Sequence, residues 1–217
     1  MDAFFHNRCI FTPDQQARAA SVKTAVVGAG GLGGFVMNGL ARLGVRHIKV
    51  VDFDVFTASN INRQLYAYEG TLGMGKAGVA AEMLRGIPGC LAEAVEERVS
   101  EENAERVFED VQVVFDCVDN AQTKLVMEKY CLSKGIPLIH GGVDRSYGQA
   151  AIVLHKPVLS GILNNAFKPQ NGVILPQLVS ALQLELFIKY IKNDFVPDAL
   201  YYIDTGAMEL FQTGQTL

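Results

Sequence analysis

The sequence predicts an α/β fold in which a mostly parallel sheet is flanked by helices, with a short helical arm ahead of it. Three observations predict it. Short β-branched, apolar runs alternate with segments whose apolar residues recur at helical spacing, the alternation expected of parallel strands joined by helices. The first such run ends in glycines that lead straight into a helical segment. Apolar residues make up 49% of the chain and charged residues 19%, enough to fill one substantial core. Nothing resembling a repeat, a low-complexity tract or a linker divides the 217 residues, so one domain over 1–217 is expected, with 1–21 as an N-terminal arm.

Thr12-Pro13-Asp14-Gln15 has a hydroxyl cap, Pro at the first helical position and Gln three residues after the cap, so a short helix through Ala20 is expected. Val22 to Gly28 reads as a strand and Leu32 to Leu43 as a helix, with glycines between them. His47 to Asp52 is a second strand, followed by a helix from Lys76 to Arg85 and a strand from Ala92 to Glu97. A helix from Glu101 to Phe108 and a strand from Val111 to Cys117 repeat the pattern. A helix from Ala121 to Lys134 and strands Pro137–His140 and Gln149–Leu154 continue it. Pro176 to Lys192 is the last long helix, with Leu178, Leu182, Leu186 and Ile188 among its apolar positions, and Tyr201–Asp204 is read as the final strand. Lys156 to Leu175 holds Pro157, Gly161, Asn164, Asn165, Pro169 and Gly172, and is expected to be a crossover loop on the surface.

Composition bounds the function, although charge alone does not exclude a tRNA partner. A net charge of -4 gives no basic footprint for nucleic acid. Met1 to Thr12 lacks the basic start and apolar centre of a secretory signal, and no apolar run reaches the roughly 18 residues needed to span a bilayer. A cytoplasmic protein without a membrane partner is expected. Cys9, Cys90, Cys117 and Cys131 lie far apart and form no Cys-x-x-Cys pair, so neither a zinc knuckle nor a redox dithiol is written here. Cys117 and Cys131 read as core residues.

Gly28-Ala29-Gly30-Gly31-Leu32-Gly33 matches G-x-G-x-x-G at the first strand-to-helix junction, where glycines let the backbone approach a phosphate and the helix start offers unpaired N–H donors. Asp52, 24 residues after Gly28, ends the second strand, where a carboxylate accepts hydrogen bonds from ribose hydroxyls in Rossmann-like folds. Those features alone suit nicotinamide and flavin enzymes equally well. The block from Asp52 and Asp54 through Ser59, Asn60, Asn62, Arg63 and Gln64 has no ordinary role in a dinucleotide site, and Lys76 follows it. Adenylyl transfer expels pyrophosphate, so cations must neutralise phosphate charge as it moves onto the leaving group, work that Arg63 and Lys76 suit. Asp119 and Asn120 follow the fourth strand, at the carboxyl ends where open α/β sheets bind ligands. Asp119 is placed to hold Mg²⁺, which needs only one or two carboxylates beside phosphate oxygens. Capping the helix that begins at Ala121 is the alternative role for this pair.

Together these residues resemble the ThiF/MoeB/HesA adenylyltransferases, bacterial relatives of ubiquitin-activating enzymes. The resemblance rests on Gly28, Gly30, Gly31 and Gly33, on Asp52 and Asp54, on Ser59-Asn60-x-x-Arg63-Gln64, on Lys76 after Gly73, and on Asp116-Cys117-x-Asp119-Asn120. It extends over almost the whole chain, through Gly148-Gln149 to the late helix. It implies ATP and Mg²⁺ as cofactors, ribose at Asp52, phosphates among Asn60, Arg63 and Lys76, and metal and α-phosphate at Asp119. It also implies a homodimer in which Arg8 reaches the other subunit's nucleotide, and a small ubiquitin-like carrier protein with a Gly-Gly C-terminus as partner. No Cys follows Cys131, so the structural zinc and the sulfur- or thioester-bearing cysteine of many relatives are not expected, and the reaction would stop at the adenylate. Lys124 stands where relatives often have Arg, keeping the charge without the bidentate fork. The same scaffold also suits an ATP-dependent dehydratase of tRNA threonylcarbamoyladenosine, a non-catalytic binding subunit, or a nicotinamide oxidoreductase, although the last would require a substrate domain that the chain does not offer.

Overall fold

The computed structural model describes residues 3–163 and 172–213. Its strands are β1 (Lys23–Val27), β2 (His47–Val51), β3 (Leu91–Val95), β4 (Val113–Asp116), β5 (Leu138–Asp144), β6 (Tyr147–Val153), β7 (Leu200–Asp204) and β8 (Glu209–Thr213). They form one sheet in the order β3-β2-β1-β4-β5-β6-β7-β8. The first five run parallel, and β6, β7 and β8 are added antiparallel. The order reverses between β1 and β4, where the connections leave to opposite sides and open a crevice at the strands' carboxyl ends.

The helices are α1 (Pro13–Ser21), α2 (Gly33–Arg42), α3 (Lys76–Arg85), α4 (Ala104–Val107), α5 (Ala121–Lys134) and α6 (Ile174–Lys192). Side chains alternate across a strand, so each strand feeds two cores. Val26, Val50, Phe115 and Ile152 face one side with Leu40, Leu84 and Phe187 from α2, α3 and α6. Ala25, Val27, Val114 and Leu138 face the other, with Val107 of α4 and Met127 of α5. α6 is 19 residues long with a mean hydropathy of 1.3, apolar enough by length and composition to cross a membrane, yet half of it is buried inside the fold. Ser180 and Gln183 lie on its buried side and bond to Leu32 O, Asp116 O and Ile139 O. Its apolarity is that of a core helix.

Most expected elements form where the pattern places them, and the differences have local causes. The arm helix carries both halves of a capping box: Gln15 N donates to Thr12 Oγ1, and Thr12 N to Gln15 Oε1. Arg18 then ties it to Ile191 O and Asn193 at the end of α6. α4 is four residues rather than the predicted eight, because the Asn103 side chain accepts from Ser100 N and holds the preceding residues in a turn. α6 starts at Ile174, two residues before Pro176, since a proline fits the first helical turn, where backbone N–H groups have no internal acceptor. The predicted crossover loop is therefore shorter at its end; Asn164, Asn165 and Pro169 lie outside the described residues. At its start, Glu128 Oε1 accepts from the N–H groups of Val158 and Leu159.

The largest difference is at β5 and β6. They extend to Asp144 and from Tyr147, joined by a two-residue turn with Arg145 in the left-handed region at φ 51°. Gly141, Gly142 and Gly148 make that stretch read as loop, whereas each glycine sits under a side chain packed on the hairpin. Tyr201–Asp204 is not the final strand, because β8 pairs with it after a turn in which Asp204 Oδ1 accepts from Gly206 N and Ala207 N.

Candidate nucleotide-binding site

A cavity of about 830 Å³ opens at the carboxyl ends of the strands, across the point where the strand order reverses. Its floor is the glycine turn between β1 and α2. Gly28 has φ 94°, and a Cβ there would lie 2.7 Å from Cys117 O, so both conformation and space require glycine. A Cβ on Gly33 would fall 1.7 Å from Gly28 O. Relieving that contact means moving backbone, so Gly33→Ala is expected to cost about 1–3 kcal/mol, read as a lower denaturant midpoint. An unchanged midpoint would contradict the close packing of turn and helix. The N–H groups of Gly30, Gly31 and Leu32 have no acceptor among the described residues, and no side chain caps α2. This is the arrangement of donors that anions occupy.

Asp52 Oδ2 accepts from Ala29 N at 2.6 Å and Oδ1 from Asp54 N at 2.8 Å, so this carboxylate braces the turn while each oxygen keeps a lone pair for a further donor. Burial pushes its carboxyl above the usual range, although the two amides and the Lys76 charge pull downward. Arg63 and Gln64 lie over the turn itself: Arg63 Cγ is 3.7 Å from where a Gly31 Cβ would be, and Gln64 Nε2 is 3.5 Å from the equivalent point on Gly30. Arg63 Nη1 donates to Ser59 O and Asn62 Oδ1, both at 2.9 Å, while its other donors have no partner among the described residues. Gln64 Oε1 is buried with no partner among the described residues. Turned over, the same amide offers an N–H to a phosphate.

Lys76 reaches the cavity because the chain on either side of the intervening loop is stitched together. Val55 bridges Gly75, Phe56 N donates to Met74 O, and Lys76 N donates to Asp54 O. Its ammonium is buried 3.4 Å from Asp54 Oδ2, whose side chain is half exposed. Asp119 extends from the opposite wall, exposed and without a hydrogen-bond or ion-pair partner among the described residues. Asn120 serves as the cap of α5, its Oδ1 accepting from Thr123 N at 2.8 Å, while still lining the cavity. No cluster of three or more His, Cys, Asp or Glu exists among the described residues. The residues fit Mg²⁺ in the mode that needs only one or two protein carboxylates, with phosphate oxygens completing the shell, and Asp119 is a cavity carboxylate that has no protein partner among the described residues.

Three expected site residues do not line the cavity. Gly33 packs beneath it. Asn60 is buried, and its Oδ1 accepts from Thr57 N, shaping the turn that delivers Arg63. Arg8 is exposed in a 3-10 turn, with its guanidinium over the Phe5 ring. Its neighbour Asn7 bonds to Arg42 O at the far end of α2, one ten-residue helix, roughly 15 Å, from the glycine turn.

Lys124 lines the cavity, but its ammonium is engaged by the protein. Its ammonium donates to Asp116 Oδ1, Asp116 Oδ2 and Gly141 O, each at 2.9 Å, which uses all three of its protons. Asp116 also meets His140 Nδ1 at 2.6 Å, and all three residues are buried. Burial alone would raise the Asp116 carboxyl, but Lys124 and His140 outweigh it and hold it below the usual range. Burial, reinforced by Lys124, lowers His140, so its imidazole is neutral. A histidine whose pKa falls on folding binds fewer protons folded than unfolded, so stability is lost as pH falls below about 6.5, the ordinary imidazole value. The urea midpoint is expected to drop between pH 7 and pH 5, and the drop should shrink in His140→Gln; equal slopes in both proteins would rule out this source.

Buried in the second core, Cys131 has its thiol pushed up to about 12, and burial drives Cys117 higher still, so neither is a nucleophile. Residues given no site role from sequence complete the walls: Arg98, stacked 3.9 Å over Phe53, and Asp144, Tyr147, Gln149 and Tyr202 from the antiparallel strands. Their shared face depends on the hairpin register, which the glycines conceal.

The ThiF family model matches residues 6–194. The chain is 39% identical over 143 residues to the SAMP-activating enzyme E1 of Haloferax volcanii, covering 65% of this chain and 53% of that protein. It is 33% identical to the sulfur carrier protein adenylyltransferase of Thermus thermophilus, covering 72% and 58%. It thus spans little more than half the length of these curated relatives. The structure of the Escherichia coli tRNA N6-threonylcarbamoyladenosine dehydratase, TcdA, in complex with AMP superposes with a TM-score of 0.73 at 22% identity, covering 88% of this chain and 94% of that one.

Proposed function

The chain belongs to the ThiF family, and from that premise we propose that it adenylates the C-terminal carboxylate of a small ubiquitin-like carrier protein with ATP, releasing pyrophosphate. The observation that carries the reading is the position of Arg63 and Gln64 over Gly31 and Gly30, with Lys76 on the adjoining wall and Asp119 opposite. The carrier's carboxylate attacks the α-phosphorus of ATP. The bond from that phosphorus to the bridging oxygen breaks, and pyrophosphate leaves with the electron pair. No general base is needed, because a carboxylate is already ionised near neutral pH. The chain's task is alignment and stabilisation of charge on the leaving group. Mg²⁺ held at Asp119 would add charge neutralisation at the phosphates.

A homodimer is part of the proposal. Arg8 lies far from its own cavity, so it serves a nucleotide only from a second copy, and the exposed Val55, Ile61, Leu65, Leu72 and Met74 offer an apolar surface for that copy to cover. A cytoplasmic setting is part of it too. A second reading, ATP-dependent dehydration of a threonylcarbamoyl group on tRNA, draws on the fold match to TcdA, while the net charge of -4 weighs against a tRNA partner.

One experiment separates the two. Pyrophosphate exchange into ATP should be stimulated by a ubiquitin-like carrier ending in Gly-Gly and not by the same carrier lacking its last two residues. Stimulation by threonylcarbamoylated tRNA instead, with none by the carrier, would replace the first reading with the second.

A further inference from the structure

The nucleotide end of the cavity is built by β1, β2 and β4, and the far end by the β5–β6 hairpin. β2 and β6 are four strand spacings apart, roughly 19 Å, which places the hairpin at the other end of the cavity from Asp52, where the adenylation reading puts the second substrate. Gly142 pairs with Gln149 and Asp144 with Tyr147, so these four residues share the hairpin face that lines the cavity.

The network beneath that face fixes the orientation of one amide. Lys124 donates to both oxygens of Asp116, which is therefore ionised and only accepts. His140 Nδ1, 2.6 Å from Asp116 Oδ2, must carry its proton. In a neutral imidazole Nε2 is then an acceptor, and Gln149 Nε2, 3.3 Å away, must be the donor. Burial and the Lys124 charge keep His140 neutral, which excludes the reverse arrangement. Gln149 lines the cavity, and its remaining amide atom, Oε1, has no partner among the described residues.

We propose that Gln149 is a specificity-determining residue whose Oε1 accepts a hydrogen bond from a main-chain N–H of the peptide tail whose carboxylate is activated. The proposal rests on the adenylation reading. An oxygen acceptor repels the terminal carboxylate itself, so the contact falls on the chain just before it. A Gly-Gly tail has no side-chain donors, which leaves its peptide N–H groups. Lys124, Asp116 and His140 act through Gln149 as positioning residues.

The test uses the full chain with Mg²⁺-ATP and, as probe, a ubiquitin-like carrier ending in Gly-Gly, read by pyrophosphate exchange. Gln149→Ala should raise the carrier's KM by about tenfold, the order expected for one lost hydrogen bond, and leave the KM for ATP in place. A carrier whose last glycine is sarcosine lacks that N–H and should show a similar rise with the unmodified enzyme. Its rise should vanish with Gln149→Ala, because both changes remove the same bond. Gln149→Met, which keeps the volume, guards against a misfolded alanine variant. An unchanged carrier KM in both variants, or a full sarcosine penalty persisting in them, overturns the contact while the adenylation reading stands. Absence of exchange with any carrier in the unmodified enzyme overturns both.

Discussion

Replacing Arg63 with alanine is expected to slow ATP–pyrophosphate exchange by about 10²–10³-fold, the usual consequence of removing one preorganised charge from a transition state. The Arg63 stem passes over Gly31 and the residue lines the cavity, with only Nη1 of its guanidinium engaged among the described residues, which leaves its remaining donors for a triphosphate. Its partners, Ser59 O and Asn62, are exposed, so folding should change by no more than about 0.5 kcal/mol. Lys76→Ala is expected to lower exchange by a similar factor, with Lys76→Met as the companion that keeps the buried stem. Lys76 is buried beside a half-exposed Asp54, an unusual place for an ammonium that serves only as a surface charge. Exchange at the unmodified rate in both alanine variants would refute their roles. A loss of exchange that tracked a loss of folding would assign them to structure instead.

Lys124→Met is expected to destabilise the protein by about 3–5 kcal/mol, because it strands the ionised Asp116 in the interior. Asp116 is fully buried, and Lys124 supplies two of its hydrogen bonds. Urea unfolding at pH 7 measures the effect. Asp116→Asn in the same background removes the stranded charge and should recover part of the loss, so the double variant should be more stable than Lys124→Met alone. A single variant within 1 kcal/mol of the parent would show that the carboxylate is not ionised there.

The sequence and the structure agree most closely where local physics decides. The capping box at Thr12, the glycine turn after β1 and the long apolar stretch of α6 are set by neighbouring residues, and each forms within two residues of its expected place. Arg63, Gln64, Lys76, Asp52 and Asp119 are brought round one cavity because the strand-turn-helix pattern delivers them to the same edge of the sheet. The two strands of the hairpin are expected at Pro137–His140 and Gln149–Leu154, but their extension to Asp144 and from Tyr147 is not legible, since Gly141, Gly142 and Gly148 mimic a loop and their purpose is packing under Gln183, Gln149 and Val179. The role of Lys124 was equally hidden. Its chain position, five residues after Asp119, shows only a charge standing where relatives often have Arg, whereas its partners, Asp116 and Gly141, come from β4 and β5 and meet it only in the folded sheet. Asn60 shows the same effect on a smaller scale, spending its side chain on the turn that presents Arg63.

Calorimetric titration of the chain with ATP in the presence of Mg²⁺, alongside NAD under the same conditions, tests the central claim most directly. If a triphosphate is held over the glycine turn by Arg63 and Lys76, ATP should bind with saturable heat, that heat should weaken in Arg63→Ala, and NAD should bind less tightly. No heat from ATP, or tighter binding of NAD, would contradict the account.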